Sequence, residues 1–372
     1  MTVTTASAVD ERLAALRGVI DALDLDAILI SRAANKRYYA GFKLGFGEES
    51  TSGYSGSLLV TRDVQLILAD SRYTEQAATE APAFELVAAT GPLEVELPAL
   101  LERHAIESLG MEAQVVPHAT WTALAAAAPG TELHQVDDEL VPLRIVKSAD
   151  EVAAIEAACA LTDACFAHLV DVTRAGMTER QVAWEIESFF RTNGADGPAF
   201  EPIVLAGARA AMPHGRPSDA HVEPGNVLLI DFGCAVDGYR SDMTRTVFVG
   251  EVPDDFRRYH DAVREGQARA FEALASGVDG RAVDAVARRR IEAEGIEPYG
   301  HGLGHGIGLE THEPPRLRRT ESYTLETGMV FSVEPGIYLP GVTGIRIEDI
   351  VVLEASGPRL LTKSPREALV VG

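Results

Sequence analysis

From Asp10 to Leu23 the apolar residues recur at helical spacing, and Ala27 to Ser31 is a short apolar run of strand length. Two more apolar runs, Leu58 to Thr61 and Val64 to Ala69, flank the polar pair Arg62-Asp63 and read as paired strands. Helical stretches follow near Leu93 to Leu109 and from Trp121 to Ala127. This alternation predicts an α/β domain that closes near Asp137. Val141 to Ser148 reads as a connector. Beyond it, Ser148 with Glu151 three residues on forms a capping box, and alanine-rich helical spacing continues to about Thr173. The chain therefore divides into residues 1–140 and 141–372.

The second part contains a repeat. Gly176-Met-Thr-Glu-Arg180-Gln-Val182 matches Gly277-Val-Asp-Gly-Arg281-Ala-Val283. Glu223-Pro-Gly225-Asn-Val227 leads to Asp231, as Glu326-Thr-Gly328-Met-Val330 leads to Glu334. Gly238-Tyr-Arg240-Ser-Asp242 matches Gly344-Ile-Arg346-Ile-Glu348. The matches come in the same order, so each half reads as helix, turn, strand, hairpin, strand. The equivalent positions are acids: Asp231 with Glu334, and Asp242 with Glu348. Asp237-Gly238 is a hairpin turn that brings Asp231 and Asp242 close across the ladder.

Two unit charges about 4 Å apart repel by roughly 4 kcal/mol at an effective dielectric near 20. Four converging acids therefore need protons or cations, and two divalent ions match four carboxylates in charge. A nitrogen donor is at hand in His301-Gly-Leu-Gly-His305, with His312 beyond. Glycine at 300, 302, 304, 306 and 308 forbids a stable helix, so the histidines are not a helical zinc pair. The even spacing also fails the dinucleotide fingerprint. We read this run as a loop whose backbone approaches a ligand. An oxygen-rich set with one imidazole suits manganese and permits cobalt, iron or zinc. Asp231-Phe232-Gly233 resembles the kinase magnesium motif, but the companion kinase motifs are missing.

Composition narrows the classes. The formal charge is −23, which repels nucleic acid and anionic lipid. No apolar stretch is expected to reach the roughly eighteen residues of a membrane span, and no basic-apolar leader opens the chain, so a cytoplasmic protein is expected. Three cysteines, Cys159, Cys165 and Cys234, support neither a disulfide framework nor a thiolate metal site.

The segments Asp231-Phe-Gly, Ser241-Asp-Met-Thr-Arg-Thr246, Gly304-His-Gly-Ile-Gly-Leu309 with His312, Val333-Glu-Pro-Gly336 and Gly344-Ile-Arg-Ile-Glu-Asp349 resemble the pita-bread metallopeptidases. That family includes methionine aminopeptidase, aminopeptidase P and prolidase. The N-terminal part is similar to the creatinase-type, ribonuclease H-like domain, through Tyr38-Tyr-Ala-Gly-Phe42, Gly56-Ser57 and Asp70-Ser-Arg-Tyr73. The resemblance implies an α+β protein with a duplicated catalytic domain. It implies that Asp231, Asp242, His305, Glu334 and Glu348 hold two divalent ions, with a bridging hydroxide as nucleophile. Glu334 would shuttle the proton, while His312 and His214 would stabilise the intermediate and leaving group. His301, Tyr338 and Arg346 would line or support the substrate pocket. At His214 the chain departs from the family, which often shows tyrosine next; here Gly215 follows. The stretch Gly45 to Gly53 lengthens a usually shorter connection.

An Xaa-Pro bond has no N–H to grip, so a dedicated enzyme must hold the ring and the free amino terminus. The extra N-terminal domain favours such a proline peptidase, acting on dipeptides or short peptides, over methionine aminopeptidase. A creatinase-like amidinohydrolase shares both domains but resembles a metal-free site, which the intact acids argue against. A non-catalytic peptide-binding module on the same scaffold would typically lack the ligands. The resemblance also suggests a homodimer.

Overall fold

The computed structural model describes residues 5–45 and 54–372. The lengthened connection at Gly45 to Gly53 lies, from residue 46 onward, outside the described residues. The chain divides into two compact units, Met1–Arg144 and Ile145–Gly372.

In the first unit the described strands form one sheet. Ala27–Ile30 pairs antiparallel with Ser57–Thr61 and parallel with Ser108–Met111. Ser57–Thr61 continues antiparallel to Gln65–Ala69 through the expected Arg62-Asp63 turn, which the Thr61 hydroxyl closes by accepting from the Asp63 and Val64 amides. Glu85–Ala88 and Glu132–Gln135 complete the two edges in parallel. The helix Ala6–Ala22 covers most of the stretch whose spacing is helical, and it buries Leu13, Leu16 and Ile20.

The expected helix from Leu93 to Leu109 ends instead at Arg103. Ala105 turns the chain with φ +53°, and Ser108–Met111 is a buried strand. A short apolar run has no period that separates a buried strand from a helix. The helix Ala33–Ala40 was not foreseen, because its sequence is polar around buried Lys36 and Arg37 and carries no apolar stripe.

The second unit shows the duplication. The helices Ala149–Val172 and Glu179–Thr192 precede the strands Ile203–Ala206, Val227–Phe232 and Met243–Val249, which form one antiparallel sheet. The helices Asp254–Ala273 and Gly280–Glu292 precede the strands Gly304–Gly306, Val330–Val333 and Asp349–Glu354, which form another. The Ser148–Glu151 capping box is present with both hydrogen bonds. Helix Ala149–Val172 is, against expectation, long and apolar enough by length and composition to cross a membrane. It packs Ile155, Cys159, Phe166 and Leu169 inward, as a core helix does.

His260, on Asp254–Ala273, is buried beside Phe248, and its Nδ1 has no hydrogen-bond partner among the described residues. Burial pushes its pKa down to about 4, against an opposing pull from Asp261. The unfolded chain takes up this proton near pH 6.5 and the native state only near 4, so stability is lost as pH falls through that window. The loss reaches about 3 kcal/mol by pH 4. In chelator-treated protein, His260→Leu should flatten the denaturant-derived stability between pH 6.5 and 4 relative to wild type. Parallel curves for the two proteins would refute this.

Candidate metal centre

Strand pairing brings the first two acids together. Asp231, the penultimate residue of Val227–Phe232, lies opposite Thr244, and Asp242 lies two residues before Thr244, so all three share one face of the ladder. The hairpin between them turns at Asp237 (φ +51°) and Gly238 (φ +81°), the left-handed pair of a type I′ turn. At Gly233 a Cβ would lie 2.0 Å from the Ser241 carbonyl, so only glycine lets the strands close here.

The second half supplies the other acids. Glu334 follows the strand Val330–Val333, and its amide donates to the Leu303 carbonyl at 2.7 Å. Glu348 immediately precedes Asp349–Glu354. Its amide donates to the Thr244 carbonyl at 3.0 Å, and the Thr244 hydroxyl donates to its carboxylate at 2.8 Å. Thus the first half orients an acid of the second. His305 sits in the strand Gly304–Gly306, with Nε2 3.7 Å from Asp242 and 3.5 Å from Glu334. Ligand atoms of Asp242, His305 and Glu348 lie within 4.8 Å of one another.

The glycine run is corrected at its centre. Gly304–Gly306 is a strand, not a loop, and a Cβ at Gly304 would lie 1.9 Å from the Ser332 carbonyl. The close approach that demands glycine is to the neighbouring strand, not to a ligand.

The site is short of positive charge for its acids. Burial, then Glu348, Asp231 and Glu334, raises the Asp242 pKa. Burial, then Glu334 and Asp231, raises that of Glu348. Glu334 is pushed up to about 8, chiefly by burial, with Arg346 opposing and Asp231 assisting. His305 is pushed down to about 3 by burial and by His312. Asp231 Oδ1, Asp242 Oδ1 and Glu348 Oε1 are buried with no hydrogen-bond partner among the described residues. Orphaned anionic oxygens beside a neutral imidazole fit a divalent cation.

A second row stands behind them. Arg346 donates to Asp231 at 2.5 Å, to the Tyr338 hydroxyl at 2.7 Å and to Thr244 at 2.9 Å. Tyr338 also meets His301 Nε2 at 2.9 Å. The His312 ring lies 4.2 Å from that of His305, and its pKa is lowered by burial and by Arg316. A cavity of about 440 Å³ is lined by Asp231, Asp242, His301, His305, His312, Glu334, Arg346 and Glu348, and also by His214. The three cysteines are buried, with thiol pKa values raised by burial.

The profile of metallopeptidase family M24 matches residues 153–355, more than half of the chain. The chain belongs to this family. Residues 12–146 match the creatinase/prolidase N-terminal domain, which together with the M24 match bears out the expected two-part α+β architecture. This M24 metallopeptidase is 36% identical to the Bacillus subtilis peptidase YqhT over 361 residues, 97% of this chain and 100% of that one. Its fold is similar to an Xaa-Pro dipeptidase from Bacillus anthracis, with TM-score 0.90 and 34% identity over 98% of this chain and 100% of that one. It is similar also to an X-Pro aminopeptidase from Thermotoga maritima, with TM-score 0.89 and 37% identity over 96% and 99% of the two chains.

As an M24 metallopeptidase the protein is a metal-dependent hydrolase, and the family implies divalent metal cofactors. Sequence reasoning gave no role to several residues that line the cavity or touch its acids. Thr244 lies inside a quoted motif but was given no role. Phe200, Pro202, Arg216 and Arg316 line the cavity, yet they stand outside the repeat and no spacing marks them.

Proposed function

We propose that this protein hydrolyses the N-terminal Xaa-Pro bond of dipeptides or short peptides. Asp231, Asp242, His305, Glu334 and Glu348 would hold two divalent ions, manganese before cobalt, zinc or iron. The observation that carries the reading is the convergence of five donors on one cavity with three orphaned carboxylate oxygens. The Xaa-Pro specificity is supported by the dipeptidase and aminopeptidase likenesses over nearly the whole chain.

When bound, the ions supply a nucleophilic oxygen at neutral pH and polarise the scissile carbonyl. The chain's own residues do the rest. Glu334, which lines the cavity, would move a proton to the departing proline nitrogen. His312 would offer an N–H to the developing negative oxygen, and His214, which lines the same cavity, would offer a second. His301 borders the substrate space, with Tyr338 and Arg346 holding it from behind. The family resemblance supports a homodimer.

Arg316 reaches the same cavity, half-buried and without an acidic partner among the described residues. A free guanidinium here suits the C-terminal carboxylate of a dipeptide. Arg316→Met should raise KM for an Xaa-Pro dipeptide by roughly 10–100-fold at little change in kcat, the size of one lost charge-assisted hydrogen bond. C-terminally amidated substrate should show no such change.

The deciding experiment compares Xaa-Pro, Xaa-Pro-Yaa-Zaa and Xaa-Ala substrates with each candidate metal and with chelator. Metal-dependent cleavage only before proline is expected. No cleavage of either proline substrate by metal-loaded protein would end the proposal.

A further inference from the structure

Gln267 lies on the helix Asp254–Ala273, outside the cavity, and is wholly buried. The two hydrogens of its side-chain NH₂ group are shared among three acceptors, the Val333 carbonyl at 3.0 Å, the Ile347 carbonyl at 3.2 Å and the Asp349 carboxylate at 3.0 Å. Val333 immediately precedes Glu334, and Ile347 immediately precedes Glu348. One amide therefore ties together the two backbone segments that carry the acids of the second half. Its orientation is forced, since all three partners are acceptors and its carbonyl faces Arg366.

The platform extends through Asp349 and Arg245. Asp349 accepts from Gln267, from Arg245 at 2.6 Å and from Thr362 at 2.7 Å. Arg245 is also buried, and its other donors reach the carbonyls of Glu348, Thr244, Ser364 and Pro365. The carbonyl of Glu348 itself is thus held from the side away from the cavity. The first half has a counterpart of different chemistry. There the long helix Ala149–Val172 sends Thr162 to the Ser241 hydroxyl at 2.7 Å, and Ser241 immediately precedes Asp242.

We infer that Gln267 is a positioning residue for the metal centre, fixing the spacing of Glu334 and Glu348 through the carbonyls behind them. Gln267 is wholly buried, so replacing it with an apolar side chain removes one donor from each of these two carbonyls at a point away from the surface. Relaxation of either segment moves a carboxylate relative to His305 and Asp242. The inference rests on the proposed ligand roles of Glu334 and Glu348.

Chelator-stripped protein should be titrated calorimetrically with Mn²⁺ as wild type, Gln267→Met, Gln267→Asn and Val263→Ala. Val263 is buried on the same helix but touches neither carbonyl by hydrogen bonding, so its truncation reports loss of packing alone. Gln267→Met should weaken Mn²⁺ binding roughly 10–100-fold, the usual effect of removing an outer-shell partner. Its kcat should recover at high Mn²⁺ with KM for an Xaa-Pro dipeptide unchanged. Gln267→Asn, with a shorter amide, should weaken binding in the same direction even if the methionine variant fails to fold. Val263→Ala should lower the melting temperature without changing Mn²⁺ affinity. Wild-type affinity in folded Gln267 variants, or equal weakening in Val263→Ala, would overturn the inference. Glu348→Ala separates the two readings: if it abolishes binding while the Gln267 variants bind normally, only the positioning role fails. If it binds normally, the ligand assignment fails and the positioning role with it.

Discussion

Asp242→Asn is expected to lower peptidase activity by roughly 10³-fold, comparable to removing a strong electrostatic stabiliser of a transition state, and to raise the melting temperature of the metal-free protein. The two effects share one cause. Asp242 is buried among Glu348, Asp231 and Glu334, and its Oδ1 has no hydrogen-bond partner among the described residues. Without metal, that arrangement sets like charges against one another in a poorly solvated space. Asparagine keeps the shape, drops one anion and gains a donor toward the neighbouring carboxylates. With metal, the same change removes a charged ligand from the set that also includes His305 and Glu348. The checks are dipeptide hydrolysis at saturating Mn²⁺ and thermal melts in chelator. Wild-type activity in the variant would remove Asp242 from the metal set; a lower metal-free melting temperature would refute the repulsion argument.

Saturating Mn²⁺ should raise the melting temperature of the wild-type protein by a wide margin. An ion present at a thousand times its dissociation constant stabilises the native state by about 4 kcal/mol. For a folding unit of this size that corresponds to roughly 8–16 °C. The gain has a structural source: the cation discharges acids whose pKa values are raised by burial and mutual repulsion. It should be absent in Glu348→Ala and reversed by chelation, which should also abolish hydrolysis. Equal melting temperatures with and without Mn²⁺ would mean that the acids do not form a cation site.

These expectations were open to sequence reasoning to different degrees. The repeat paired Asp231 with Glu334 and Asp242 with Glu348, because equivalent strands of a duplicated unit present equivalent positions. The Asp237-Gly238 turn was legible because few residue pairs accept two left-handed conformations in succession. The glycine run was misread at Gly304–Gly306. Sequence registers that a Cβ is forbidden, but not whether a ligand or the Ser332 carbonyl stands in its way. The strand Ser108–Met111 was absorbed into a helix, since pairing with Ala27–Ile30 is a non-local property that no short window contains.

What the chain determined by itself was the inventory and its pairing: two similar halves, four acids in matching places, one imidazole, and a capped helix at the start of the second unit. Those follow from local periodicity, turn chemistry and self-similarity. Only the tertiary structure decided how the acids are held. Thr244 orients Glu348 across the two halves, Gln267 grips the carbonyls before both glutamates, and Arg316 enters the cavity from outside the repeat. These contacts join residues roughly 65 to 105 positions apart, and their partners are largely backbone atoms. Every residue carries a carbonyl and an amide, so side-chain identity alone leaves no trace of which one will be used.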